Sequence, residues 1–248
     1  EYRNKLEFTF STKSWKQDYD KDAIDNGAFG FHVPGFFDKV LEIDYCALQS
    51  EPSNAIRNHL RDYCSKRSLP YYNIREHSGL MRNLIVRTST TGDVMVIVVF
   101  AQRSEEIVPL LENLRENFPQ ITSLMYCINE KFNDTLGDQD IKCFAGKDHI
   151  EERMTSFDGK GELRFKIRPK TFYQTNSLQA EKLYHQAAEF AGITKDDIVY
   201  DLYTGCGTIA NYVASLSKKV VGIEYVEDAV EDARLNSEFN NINNTTFF

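Results

Sequence analysis

Between residues 197 and 210 the chain reads DIVYDLYTGCGTIA, an apolar run ending in Asp201, then a turn holding Gly205 and Gly207, then a segment with helical spacing. A glycine-rich turn between strand and helix lets a ligand approach the backbone, and free amides at a helix start favour an anionic group. Glu224 closes the next apolar run, VVGIE, where its carboxylate can accept from ribose hydroxyls. Taken alone, Gly205-x-Gly207-x-x-Ala210 with that acid satisfies a dinucleotide fingerprint. Two details favour a different ligand. In dinucleotide sites the glycines follow the strand directly, whereas here Asp201 ends the run and further residues separate it from Gly205. A carboxylate so placed can hold an ammonium group, which S-adenosylmethionine has and NAD lacks. An NAD(P)-dependent oxidoreductase stays as the alternative reading of these residues.

The elements around the turn have the order that such a site needs. Asn176 or Ser177 can cap a helix through LQAEKLYHQAAEFA, and Gly192 stands where a left-handed cap would close it. A strand at 198–202, a helix over 208–216, a strand at 219–225 and a helix over VEDAVEDARLNSEF follow. This alternation is that of a doubly wound parallel sheet, which binds ligands at the carboxyl ends of its strands. Before Pro169 the pattern is different. Residues 80–89 and 93–100 flank Thr90-Thr91-Gly92 and read as a hairpin. Helical spacing marks Ile107, Leu110, Leu111, Leu114 and Phe118, with Ser104 as candidate N-cap, and Ile56, Leu60 and Tyr63 mark a helix over 50–65. Strands are expected at 121–128, 141–145 and 162–168. The reading is an α+β central domain over 1–168, with an antiparallel or mixed sheet, followed over 169–248 by the first part of a Rossmann-like domain.

Composition narrows the class. The 248 residues are 42% hydrophobic and 27% charged, as in a folded globular protein. No apolar run approaches a bilayer span and EYRNKLEFTF lacks the pattern of an export signal, so a cytoplasmic protein is expected. Five cysteines without a C-x-x-C pair argue against a self-contained zinc site. A net charge of -8 disfavours a broad polyanion-binding face. Local basicity is another matter: Arg164, Lys166, Arg168 and Lys170 alternate with Phe165 and Ile167, so this strand is expected to present a basic edge for RNA beside the segment FYQTN. A non-catalytic RNA-binding module is therefore a third reading.

Four stretches together carry a resemblance: YRNK at 2–5, LMRNLIVR at 80–87, FYQTN at 172–176, and DLYTGCGT at 201–208 with IEYVEDAVEDA downstream. The chain resembles the RNA uracil carbon-5 methyltransferases, a family that includes bacterial tRNA and 23S rRNA enzymes, and is most similar to the 23S rRNA group. The resemblance implies a class I methyltransferase fold, S-adenosylmethionine as cofactor and an rRNA uracil as substrate. It places Gln174, Tyr203, Thr208 and Glu224 at the family's cofactor-contacting positions, although the family often has Asn where Thr208 stands. Arg3 and Lys5 of YRNK are further candidates for an RNA-facing rim.

Uracil carbon-5 is a poor nucleophile. Family members first add a cysteine thiolate to carbon-6, the resulting enolate takes the methyl group, and a base removes the carbon-5 proton. The resemblance implies that both groups lie beyond Phe248, so this chain alone is expected not to turn over. Cys206, between two glycines, reads as a small loop filler and not as the nucleophile. Family members often begin with a small basic β-barrel, and some carry an iron-sulfur cluster in the full-length parent. Cys46 matches the fourth-ligand position of those. A first residue that is Glu, and two parallel strands that make an incomplete sheet, fit an excised piece.

Overall fold

The computed structural model describes residues 1–16 and 26–248. These divide into two compact units, residues 1–88 with 94–148 and residues 89–93 with 149–248.

The first unit is built on a seven-stranded sheet of order β3-β2-β1-β4-β5-β6-β7. Its strands are β1 (Lys5–Ser11), β2 (Ala28–Val33), β3 (Phe36–Glu42), β4 (Met81–Thr88), β5 (Val94–Phe100), β6 (Ser123–Ile128) and β7 (Ile141–Gly146). All pairings are antiparallel except β5–β6, the strands joined through helix α2 (Ile107–Asn117). The β4–β5 hairpin is the expected one, and every residue of β5 is buried, as befits a central strand covered on both faces. Helix α1 (Ser53–Arg67) brings Ile56, Leu60 and Cys64 into one core with Leu6, Phe8 and Phe10 of β1. Helix α2 starts later than Ser104. That side chain accepts from the Glu106 amide within the preceding turn, so the helix has no side-chain cap. β1, β2 and β3 were not expected, although Leu6, Phe8 and Phe10 alternate as a half-buried strand requires.

The second unit holds a two-stranded hairpin, β8 (Ile150–Thr155) with β9 (Glu162–Ile167), and a parallel sheet of order β10-β11-β12. The parallel strands are β10 (Ile198–Leu202), β11 (Lys219–Ile223) and β12 (Thr245–Phe247), in register Asp201↔Gly222 and Gly222↔Phe247. Three helices complete it: α3 (Ser177–Ala191), α4 (Thr208–Ala214) and α5 (Glu227–Phe239). Asn176 caps α3 through its side chain, which accepts from the Gln179 amide, and Gly192 closes it in the left-handed conformation.

The compact units part at residue 148 and not at the expected 168, for a definable reason. The outer edge of β9 is hydrogen-bonded by two side chains, Asn236 in the last turn of α5 and Asn240 at its C-cap. Asn240 accepts from Arg164 N (2.8 Å) and donates to its carbonyl (2.7 Å), and Asn236 accepts from Lys166 N (2.8 Å). The amides stand in for a neighbouring strand and fasten the hairpin to the helix. Among the described residues no helix is long and apolar enough to cross a membrane.

Candidate functional site

The turn after β10 is the most tightly specified backbone in the second unit. Tyr203, Gly205 and Gly207 all have positive φ, at 60°, 54° and 77°. Glycine adopts this conformation without strain, whereas tyrosine does so at a cost of about 1 kcal/mol or more. Tyr203 is nonetheless 89% exposed, so its ring is held out from the turn without packing in return. A Cβ added at Gly205 would meet open space, whereas one at Gly207 would lie 3.0 Å from Ala233. The Gly205 side of the turn is therefore open to a ligand, and the Gly207 side is packed on α5.

Side chains brace the turn from behind. Asp201 Oδ2 accepts from Thr204 Oγ1 (2.6 Å) and from the Ala210 amide (3.0 Å), tying the strand end to the first turn of α4. Asn236 Nδ2 donates to the Cys206 carbonyl (3.1 Å) and Asn211 Nδ2 to the Gly207 carbonyl (2.7 Å). In front, Glu224 Oε2 accepts from Gly205 N (3.0 Å) while Oε1 accepts from Tyr225 N (2.9 Å) and Val226 N (3.0 Å). These bonds fix the Glu224 carboxylate at the mouth of the turn and leave one lone pair, on Oε2, for a further donor.

The FYQTN segment comes to the same place. Cys206 Sγ donates to the Phe172 carbonyl at 3.5 Å, and the Tyr184 hydroxyl, pushed up by burial, has Thr208 and Gln174 as polar neighbours. Gln174, Asp201, Tyr203, Gly205, Gly207, Thr208 and Glu224 thus lie on one connected stretch of the second unit. Asp201 is set deeper than a solvated strand end, at 8% exposure, and burial raises its carboxyl above the usual range. One oxygen serves the turn, and only the other is available to an ammonium group. Cys206 is 1% exposed and serves as a donor bracing the turn.

Tyr184, Asn211 and Asn236 were missed by the sequence reading. Tyr184 sits at a buried position of α3 with Ala180 and Ala188, so spacing marks it as packing and gives no sign of its hydroxyl. Tyr184→Phe is expected to destabilise the chain by about 1 kcal/mol, by taking a hydroxyl away from the polar neighbours Thr208 and Gln174. A lower urea midpoint at unchanged slope would record it, and an unchanged midpoint would show that the hydroxyl bridges nothing.

The basic stretch differs from its expected role. Arg164 pairs with Glu151 and lies over the Phe239 ring at 5.1 Å, with Lys166 over the same ring at 4.8 Å. Arg168 pairs with Asp232 and Glu231. Three of the four cations are engaged by side chains of β8 and α5, which still leave the Arg164 side chain 51% exposed. Lys170 is exposed. Cys46 is buried, its backbone held by the Asn54 side chain through Cys46 N (2.8 Å) and Cys46 O (3.1 Å). Among the described residues no group of three or more His, Cys, Asp or Glu could hold a metal ion, so Cys46 has no fellow ligands here for a cluster.

Parallel strands, a glycine turn opening α4 and an acid ending the next strand define a Rossmann-like α/β unit of the methyltransferase class. The comparisons carry this to a family. The sequence profile described as tRNA (Uracil-5-)-methyltransferase matches residues 88–248. An uncharacterized RNA methyltransferase of Bacteroides thetaiotaomicron is 51% identical over 100% of this chain and 55% of its own length. Another, of Porphyromonas gingivalis, is 49% identical over 100% of this chain and 54% of its own. The crystal structure of Pyrococcus abyssi tRNA (uracil-54, C5)-methyltransferase in complex with S-adenosyl-L-homocysteine matches with TM-score 0.73 and 26% identity, covering 100% of this chain and 55% of that one. The chain belongs to the tRNA (uracil-5-)-methyltransferase family. It spans about half the length of the curated relatives it matches.

Proposed function

We propose that this chain carries the cofactor-binding part of an S-adenosylmethionine-dependent enzyme that methylates carbon 5 of a uracil in RNA, with 23S rRNA as the target and the cytoplasm as its place of action. The observation that carries the reading is the braced turn from Asp201 to Thr208. Its open side lies at Gly205, where Glu224 is already fixed by backbone amides. The residues fit the cofactor by chemistry. Glu224 offers its charge and its remaining lone pair to the ribose hydroxyls, the second oxygen of Asp201 offers a charge to the ammonium, and Gln174 an amide to the carboxylate end. Tyr203 and Thr208 line the same approach. The bound cofactor would supply an electrophilic methyl group, and the residues present here bind and orient it.

Nucleophile and general base are assigned to the part of the relatives' length that this chain does not span. Cys206 supports that assignment, since a buried thiol braced on a carbonyl has no access to a base. Two measurements test the reading. Calorimetry is expected to show heat with S-adenosylhomocysteine and none with NADH, whereas the reverse would make this an oxidoreductase. Methyl transfer by this chain to unmodified 23S rRNA fragments or tRNA transcripts is expected to yield no product. Robust product would place the nucleophile within residues 1–248.

A further inference from the structure

The first unit exposes large aromatic side chains along one strip. Phe36 and Phe37 open β3 and are 47% and 61% exposed, and Phe132, in the loop after β6, is 71% exposed. Gly35, with φ 83° and open space around it, makes the sharp turn that projects the two β3 rings outward. Each ring has a nitrogenous partner. Lys39 Nζ lies 5.1 Å from the Phe36 centroid and Arg75 4.8 Å from that of Phe37, while His77 stacks on Phe132 at 3.9 Å. Phe37 also lines a hollow with Tyr72, Arg82 and Asp134, and Tyr72 bonds the His77 ring through its hydroxyl, so the three rings belong to one surface.

That surface is held in advance. Arg82 is almost fully buried beneath it, its guanidinium 4.3 Å from the Tyr72 ring, and it donates to the carbonyls of Asn129 (2.7 Å), Lys131 (2.6 Å) and Asn133 (2.9 Å). The loop that displays Phe132 is thus pinned on both sides of the ring. Arg75 is fixed by Asp38 at 2.7 Å. Lys39, Arg75 and His77 each cover one face of a ring, and the exposure of the three rings leaves the other side for stacking.

We propose that this strip stacks unpaired bases of the RNA substrate. The inference rests on the reading of the chain as part of an RNA-modifying enzyme, and deepens it by naming where single-stranded RNA lies. Charge complementarity decides for RNA over a polypeptide: Lys39 and Arg75, stacked over the rings, can serve phosphates, and every base has a face to stack. With a net charge of -8, affinity must come from stacking more than from a broad basic field.

The test is fluorescence anisotropy of this chain with a short labelled single-stranded RNA and with a fully paired hairpin of equal length. Single strand is expected to bind in preference to hairpin. Phe37→Ala and Phe132→Ala are each expected to weaken it by about tenfold, within the range for one lost base stack. Both rings are exposed and lie in the first unit, so an unchanged urea midpoint and far-UV circular dichroism will confirm that the variants fold. Phe190→Ala, an equally exposed ring on α3, is expected to leave affinity unchanged. Arg75→Gln is expected to lower the salt slope by about one ion where the phenylalanine variants do not. RNA binding that is equal in wild type, Phe37→Ala and Phe132→Ala overturns the strip and leaves the RNA reading standing. So does a variant that changes only the oligomeric state. No RNA affinity in a chain that binds S-adenosylhomocysteine overturns the strip and leaves the methyl-donor site in place.

Discussion

Glu224→Ala is expected to weaken S-adenosylhomocysteine binding about 100-fold in calorimetry, the equivalent of about 3 kcal/mol, for a charge-assisted hydrogen bond to the ribose together with the bracing of the turn. Part of the loss is indirect. The carboxylate accepts from the amides of Gly205, Tyr225 and Val226, so its removal also frees the turn it holds. Glu224→Gln separates the two contributions. One carboxamide oxygen can still accept from an amide, but the negative charge is gone and only one acceptor atom remains. Its affinity is expected to fall between wild type and alanine. If alanine binds as tightly as wild type, the ligand does not sit on Glu224, and the turn has some other occupant or none.

How far the sequence reveals these features depends on the range over which each signal acts. Asn176 and Gly192 bound α3 as read, because capping is a matter of a few neighbouring residues. The β4–β5 hairpin and the turn from Asp201 to Gly207 were legible for the same reason. The partners of the basic strand were not legible, because alternation tells which residues share a face but not what covers it. Arg164 and Lys166 meet Phe239 of α5, far along the chain, and the Asn236 and Asn240 side chains that secure β9 look in sequence like ordinary polar helix residues. β8 escaped notice because its inward face includes Glu152, a buried carboxylate that accepts from Ser177 Oγ (2.7 Å) and the Arg153 amide (3.1 Å). A charged residue at an inward position breaks the apolar alternation by which strands are found.

Asp201→Asn is expected to separate fold from function. In the folded chain burial raises the Asp201 carboxyl above its unfolded value near 4. A raised carboxyl contributes stability below the unfolded value, and that contribution is lost as pH rises through the folded one, where the buried group must ionise. At neutral pH the ionised carboxylate is therefore a liability that the neutral amide lacks. Both bonds that Asp201 makes to the turn go to one oxygen, from Thr204 Oγ1 and Ala210 N, and an asparagine carbonyl can accept both. The melting temperature of the variant relative to wild type is thus expected to rise as pH is raised from below about 4 to 7. Binding is expected to move the other way: the amide carries no charge for an ammonium group, and affinity for S-adenosylhomocysteine is expected to fall tenfold or more. A variant that is as stable as wild type and binds equally well would confine Asp201 to bracing the turn. A variant that gains no relative stability with rising pH would show that the wild-type carboxylate is not penalised by its burial.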